Sequence, residues 1–453
     1  KDEPYLLRRY IESPGFAHLL GYLSYPEKDK DGHYWQTEYI GRDGVEDEYN
    51  DLLSGKNGAR LYETDALGER KVGSSLNPPI QGTNLNLTVD SRIQSKLYEA
   101  IVGLAERAGY SGGAGLVMDI TTGELVAMTS YPEYNPNILA TGEEKEIIQS
   151  YLLDTEKKPF INRTVSGVYT PGSIVKPFIA IGALEEGTVD PNESFYSGGG
   201  LVIPNPYNPE LKSVFKDWKE EGHGYTDMRK GLAESVNTYF YIIAGGYQGQ
   251  KGIGIANIEK YTRMFGIASK TGIDVDGEKI GNIPSIEWKA KKFPSDPWRL
   301  GDTYHTAIGQ YGFQVTPVQM VRAVAGIGSK GTLVTPHIFK DIDPSLLSIQ
   351  TLDIDQANYT VIHEGMRQVV TAGTGGALNI SNVEIAAKTG TAQVGISKKA
   401  INSWVIGFFP YENPKYAFTV LMENSPSSNK IGASQAMGEL FRWMALYTPE
   451  YFK

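Results

Sequence analysis

Cysteine is missing from all 453 residues. Its absence excludes disulfide staples and thiolate metal sites, and fits either a reducing compartment or an extracytoplasmic protein that does without cross-links. No apolar run approaches the ~18 to 20 residues that a membrane-spanning helix needs. Positive charge is not in excess either: 43 Lys and Arg against 53 Asp and Glu leave a net charge of −10, which argues against general nucleic-acid binding. There is no internal repeat and no low-complexity tract. Lys1 is neither an initiator methionine nor the start of a signal peptide, so the chain reads as a fragment, compatible with a lost N-terminal anchor. What is present is ordinary soluble composition, 40% hydrophobic and 21% charged, in a chain long enough for two or three domains.

Residues 1–84 are polar and rich in Gly, Asp, Glu and Tyr. Gly41 to Leu53 predicts a short helix ended at Gly55, Ala59–Tyr62 a strand, and Ser74–Gly82, with two prolines, a linker. From Leu85 the pattern changes. Leu85–Val89 alternates like a strand, and Asp90 or Ser91 then caps a helix carrying Ile93, Leu97 and Ile101 at a 3.6-residue period. Gly115–Asp119, the turn at Thr121–Gly123 and Leu125–Met128 read as a hairpin. Helical segments fill much of 173–265. Strands return at 383–394, 402–409 and 415–423, and a helix closes the chain near 433–447. Strands at both ends with helices between them predict an α+β domain over 85–453, built on one antiparallel sheet completed by distant segments.

Three short motifs stand in order: Ser173-Ile-Val-Lys176, Ser235-Val-Asn237 and Lys388-Thr-Gly390. They are 62 and 153 residues apart, too far for one local element. Each also has spare copies. Ser-x-x-Lys recurs at Ser213 and Ser427, Ser-x-Asn at Ser75 and Ser427, and Lys-Thr-Gly at Lys270. Context selects among them. Ser173 precedes an apolar helical stretch with Gly187 as its C-cap, and Pro177, tolerated only in a first turn, pins Ser173 to the helix N-terminus. Lys176, three residues on, shares its face. Ser213 lies in solvated text, Ser427 in a loop, and Lys270 after a helix. Lys388 instead ends an apolar run and reads as strand. Gly109-Tyr-Ser111-Gly-Gly113 matches a G-x-S-x-G elbow, but a helix precedes that serine and a strand follows it, the reverse of what the elbow needs.

A serine hydroxyl needs a base, and lysine serves only where burial or neighbouring positive charge lowers its pKa. The expected assignment makes Ser173 the nucleophile and Lys176 its base, with Lys388 supplying the charge that lowers Lys176. Ser235 relays the proton to the leaving amine, and Asn237 orients Lys176 and the substrate amide. Lys388, Thr389 and Thr391 bind a substrate carboxylate, while the backbone N–H groups of Ser173 and Thr391 form the oxyanion hole. Gly390 leaves room for a ligand to lie against the strand edge.

With these residues in hand, the chain resembles a class B penicillin-binding protein, a group in which S-x-x-K and K-T-G recur. Gly41–Gly58 is similar to that family's pedestal motif, Gly115–Met128 to its domain opening and Tyr169–Phe178 to its nucleophile segment. Gly222-His-Gly224, Thr271-Gly-Ile-Asp274, Ile308-Gly-Gln310 and Thr316-Pro317 resemble the elongation branch more than the division branch. Tyr311 departs from it, standing where a glycine is usual. The resemblance implies a pedestal over 1–84, a serine transpeptidase/β-lactamase-like domain over 85–453, and peptidoglycan D,D-transpeptidation inhibited by β-lactams. It also implies residence on the extracytoplasmic face of the bacterial cytoplasmic membrane. The implied partners are peptidoglycan stem peptides, a SEDS-type (RodA-like) glycosyltransferase and elongation-complex proteins. No cofactor and no nucleic acid are expected. Some members of the branch hold a metal near the Ser-x-Asn. Asp217 and His223 are the candidate pair here, and no cysteine is available to complete such a site. A D,D-carboxypeptidase or β-lactamase, which passes the acyl group to water, and a non-catalytic penicillin sensor are the rival readings.

Overall fold

The computed structural model describes residues 7–67, 70–205, 208, 210–395 and 398–453. A five-stranded antiparallel sheet forms the frame. Its strands are β1 (Gly112–Asp119), β2 (Leu125–Tyr131), β3 (Ala386–Val394), β4 (Ala400–Phe409) and β5 (Tyr416–Pro426), in the spatial order β3-β4-β5-β1-β2. The register pairs Lys388 with Ile406 and Val420 with Gly115. The N-terminal hairpin is thus completed by strands some 300 residues later, because the apolar β1 can be buried on both faces only by joining a sheet. Among the described residues β3 is an edge strand, with a neighbour on one side alone.

Seven helices position the site: α1 (Ser91–Ala108), α2 (Lys176–Glu185), α3 (Met228–Ala233), α4 (Asn237–Gly245), α5 (Pro317–Gly328), α6 (Gln356–Thr371) and α7 (Ala433–Tyr447). Asp90, of the two expected caps, starts α1: its carboxylate accepts the Arg92 N–H at 2.9 Å. Gly109 ends it in the left-handed region. α1 and α7 cover one face of the sheet through Leu97, Ile101, Leu440 and Phe441, packed with Val117, Val405 and Phe418. α1 can approach because a Cβ on Gly115 would lie 2.8 Å from Leu97. On the opposite face α5 is buried at every residue. Thr316 and Gln319 close its N-terminus as a capping box with Pro317 in the first turn, so the Thr-Pro motif is a helix start. α2, α3, α4 and α6 share this core, and α6 packs directly on β3.

The N-terminal residues are built of short hairpins and helices. The expected helix is two, Gly44–Glu48 and Asn50–Leu53, broken at Tyr49. The expected linker from Ser74 is corrected: Arg70–Asn77 is a strand paired with Ala59–Thr64, and only the stretch after Asn77 connects. Two prolines made that text look like a linker, but both lie after Asn77, and strand pairing decides the residues before them. Leu85–Val89, expected as a strand, makes a single bridge, Leu87 to Phe339. Two polar contacts seat this region on the catalytic one. Glu133 accepts the N–H groups of Gly15 and Ala17 at 3.0 and 3.1 Å. Asp274, of the Thr-Gly-Ile-Asp motif, accepts the Tyr49 hydroxyl at 2.6 Å and the Ile338 and Phe339 N–H groups at 2.8 and 2.9 Å.

Candidate active site

Ser173 is the second residue of a 3₁₀ turn, Gly172–Val175, that runs into α2. Pro177 does sit in the first turn of α2, as its missing N–H predicts, but the α-helix begins at Lys176. Ser173 therefore lies one turn earlier than expected. The helix also ends at Glu185, with Glu186 as C-cap and Gly187 just beyond it. The turn is wedged against β3. Gly172 has φ +58°, and a Cβ there would come within 3.0 Å of the Thr391 carbonyl. A Cβ on Gly309 would meet the Gly172 carbonyl at 2.1 Å, which explains the glycine of Ile308-Gly-Gln310. A Cβ on Gly390 would fall 2.9 Å from both the Pro171 carbonyl and Ile174 Cγ2. The space reserved for a ligand at Gly390 is thus occupied by the nucleophile turn itself. The Trp404 indole donates to the Thr170 carbonyl at 3.0 Å and fastens the same turn.

Four of the predicted polar groups converge in the interior. Lys176 Nζ, fully buried, donates to the Ser235 carbonyl and to Asn237 Oδ1, each at 2.8 Å, and lies 3.3 Å from Ser235 Oγ. Lys388 Nζ, also fully buried, donates to Ser235 Oγ and to the Thr389 carbonyl, each at 2.9 Å. Burial holds Lys176 down to about 7, while the Asp217 carboxylate pulls it upward. Burial, and secondarily the charge on Lys176, push Lys388 well below the lysine range. The expected source of charge is therefore corrected: desolvation, not charge from Lys388, lowers Lys176, and it is Lys388 that feels its neighbour's charge.

Ser235 has φ +57°, the left-handed region that costs a non-glycine residue roughly 1–2 kcal/mol. The turn between α3 and α4 imposes it, and the hydroxyl is thereby placed between the two lysines. Ser173, in the turn before Lys176, is partly buried. Among the described residues its hydroxyl makes no hydrogen bond to either of the lysines that converge here. Thr389 and Thr391 alternate with Lys388 and Gly390 along β3, so they face the open side of the strand. Thr391 is exposed, and Thr389 shares a short hydrogen bond with Thr374. Thr374 was not foreseen: a threonine on the loop after α6 carries no sequence signal of a site.

The spare motifs fall elsewhere. Ser213 is exposed on the strand Lys212–Lys216, Ser427 is exposed after β5, and Ser75 lies in the strand Arg70–Asn77. Ser111 follows α1 and precedes β1, as its order predicts. Tyr311 adopts φ +65°, the conformation a glycine would take freely. Its ring packs edge-on against Trp288 and Trp298, with Lys289 Nζ 5.6 Å from its centroid.

The candidate metal pair does not fit a metal. Asp217 Oδ2 accepts the Thr238 N–H at 2.8 Å, and His223 Nδ1 is 2.6 Å from Glu234 Oε2. Among the described residues no group of three or more His, Cys, Asp or Glu could hold an ion. Nor, among them, is any helix long and apolar enough to cross a membrane.

An antiparallel sheet with helices on both faces, joined to an N-terminal region of short hairpins, is the architecture of the serine transpeptidases with a pedestal. The penicillin binding protein transpeptidase domain matches residues 113–442, and the penicillin-binding protein dimerisation domain matches residues 3–87. The chain belongs to the penicillin-binding protein transpeptidase family. It is 33% identical to the peptidoglycan D,D-transpeptidase MrdA of Haemophilus influenzae over 96% of this chain and 68% of the relative. To the Escherichia coli protein of the same name it is 31% identical over 97% and 70%. The chain thus spans about two thirds of the length of these curated relatives. Among solved structures, Helicobacter pylori PBP2 in complex with MreC superimposes with a TM-score of 0.80 at 30% identity, covering 98% of this chain and 79% of that one. Pseudomonas aeruginosa PBP2 in complex with WCK 5153 gives 0.78 at 29%, covering 98% and 93%.

Proposed function

We propose that this protein is a peptidoglycan D,D-transpeptidase of the cell-elongation type that works through an acyl-serine intermediate. The observation that carries this reading is the Ser235 hydroxyl held between the buried Nζ atoms of Lys176 and Lys388, at 3.3 and 2.9 Å, beside the Ser173 turn. Desolvated lysines are proton acceptors near neutral pH, which is what a serine nucleophile requires.

In this reading Ser173 Oγ attacks the carbonyl of the penultimate D-alanine as Lys176 takes its proton. The C–N bond to the terminal D-alanine breaks, and the leaving amine receives a proton through Ser235, which Lys388 holds in line. An acceptor amine then attacks the acyl-serine, its proton passes to Lys176, and Ser173 is released with its hydroxyl restored. Asn237 orients Lys176 and the substrate amide. The N–H groups of Ser173 and Thr391 bind the oxyanion. Thr389 and Thr391, with Gly390 between them and Thr374 alongside, bind the substrate carboxylate. A β-lactam enters the same path and stops at the acyl-enzyme.

We divide the chain at 84/85, with a pedestal before and the transpeptidase domain after, and place it on the extracytoplasmic face of the cytoplasmic membrane. The H. pylori PBP2–MreC complex and a structure described as coordinating polymerization and crosslinking in a peptidoglycan synthase complex support partners of the elongation machinery. A SEDS-type glycosyltransferase would supply the glycan. The test is incubation with a labelled penicillin followed by intact mass. A stable one-to-one adduct is expected on the native chain and none on Ser173→Ala. Labelling that survives that substitution removes Ser173 from the mechanism, and rapid loss of the adduct to water favours the β-lactamase reading.

A further inference from the structure

We propose that residues 217–223 are a metal-free clamp that positions the Ser235–Asn237 turn, with the Asp217 carboxylate as its centre; this rests on the acyl-transfer reading above. The clamp grips both ends of the turn. At the far end α4 begins at Asn237 behind Val236, which has no side-chain oxygen to cap it. Asp217, 21 residues earlier, does the capping: Oδ2 accepts the Thr238 N–H at 2.8 Å and lies 3.0 Å from Thr238 Oγ1, itself 2.6 Å from Ser197 Oγ. At the near end the Trp218 indole donates to the Glu234 carbonyl at 3.2 Å, and the His223 ring holds the Glu234 carboxylate at 2.6 Å. Lys230 ties the loop down from α3 by donating to the His223 and Tyr225 carbonyls at 2.6 and 2.9 Å.

Ser235 sits between these two grips in its left-handed conformation, and α4, whose start they fix, supplies Asn237 to Lys176. Asp217 and His223 are buried, and His223 Nε2 faces Asp217 Oδ1 at 3.5 Å without a hydrogen-bond partner among the described residues. That pairing makes no hydrogen bond: Asp217 Oδ1 accepts the Trp218 N–H at 2.8 Å and Oδ2 the Thr238 N–H, while His223 is held through Nδ1. The clamp also has an electrostatic effect. The charged groups around Lys176 are Asp217, which favours its protonated form, and Lys388 from β3, while Asn237 contributes a dipole.

Asp217 is thus a positioning residue, and two of its effects separate experimentally. The measurement is the second-order rate of acylation by a fluorescent penicillin as a function of pH, on the full chain. Asp217→Ala, which loses cap and charge, is expected to slow acylation by roughly 10- to 100-fold, the cost of a misplaced catalytic group. Asp217→Asn removes the charge and keeps one oxygen for the Thr238 N–H, giving up the acceptor that Oδ1 offers the Trp218 N–H at 2.8 Å. It is expected to recover much of the rate at high pH and to move the acidic limb of the profile to lower pH. Trp218→Phe keeps the half-exposed ring but loses the donor to Glu234, and should slow acylation by about two- to tenfold with the limb unmoved. A chelator should change none of these rates. An Asp217→Asn profile identical to the native one overturns the proposal even if Asp217→Ala fails to fold, as does loss of activity on chelation. Absence of labelling on the native chain overturns the acyl-transfer reading and the clamp with it.

Discussion

Lys-Thr-Gly occurs twice in this chain, and the two copies have opposite fates. At 388–390 it lies on β3: the lysine is fully buried against Ser235, and the glycine admits the Pro171 carbonyl and Ile174. At 270–272 the lysine is exposed, Thr271 gives its N–H and hydroxyl to Glu278 at 2.6 and 2.7 Å, and Gly272 turns the chain at φ +81°. One copy is a desolvated strand in a convergence of three segments, and the other is a turn stabilised by its own neighbour seven residues on. Identical side chains acquire chemistry only where burial removes water from the lysine and a distant serine receives it.

Removing each lysine gives the sharpest contrast. Lys388→Ala is expected to lower the acylation rate by ~10²- to 10⁴-fold, the usual worth of a positioned proton-transfer group, whereas Lys270→Ala should leave it within about twofold. Time-resolved labelling with a fluorescent penicillin checks both, and equal losses would erase the distinction. The pH profile separates the copies next. Lys176 must be neutral to accept a proton, so acylation should fall about tenfold per unit below its value of about 7. Lys270→Ala should leave that limb in place. The same group gives stability a sign. Between about 7 and 10.5 the unfolded chain binds the extra proton, so this lysine's contribution to stability improves as pH rises across that window.

Smaller effects belong to the glycines and to Glu278. Gly390→Ala overpacks the Ser173 turn and should cost about 1–3 kcal/mol together with most of the acylation rate. Gly272→Ala meets only Thr335 Cγ2 at 3.6 Å, so its cost is the backbone strain, roughly 1–2 kcal/mol, with acylation unchanged. Glu278→Ala should destabilise by about 1–3 kcal/mol by stranding the Thr271 donors, again without touching acylation. Denaturant unfolding beside the labelling assay measures all three. A catalytic effect at either position of the second copy would mean that the two regions are coupled.

Much of this was legible in one dimension. The strands at 386–394, 400–409 and 416–426 and the helix at 433–447 follow apolar runs of the right period and length, and Pro177 located the start of α2 to within a turn. The prolines after Asn77 misled at 74–77, where a strand partner overrides local preference. Leu85–Val89 misled in the other direction, alternating correctly but finding only one bridge. Asp217 and His223 were conspicuous as a potential ligand pair. Their actual partners, Thr238 and Glu234, are fixed by how the 217–223 loop lies on α3 and α4, which no spacing encodes.

The amino-acid order alone determined which residue types were on offer: three motifs in sequence, a proline after the first, an apolar strand under the last, and no cysteine. Those are consequences of local sterics and periodicity, which act over a few residues. Only the tertiary structure decided that Lys176 and Lys388 would meet at one hydroxyl, that Ser235 would be held left-handed between them, and that burial would lower both lysines. Desolvation and convergence depend on what the rest of the chain packs around a group, and that is a property of the folded whole.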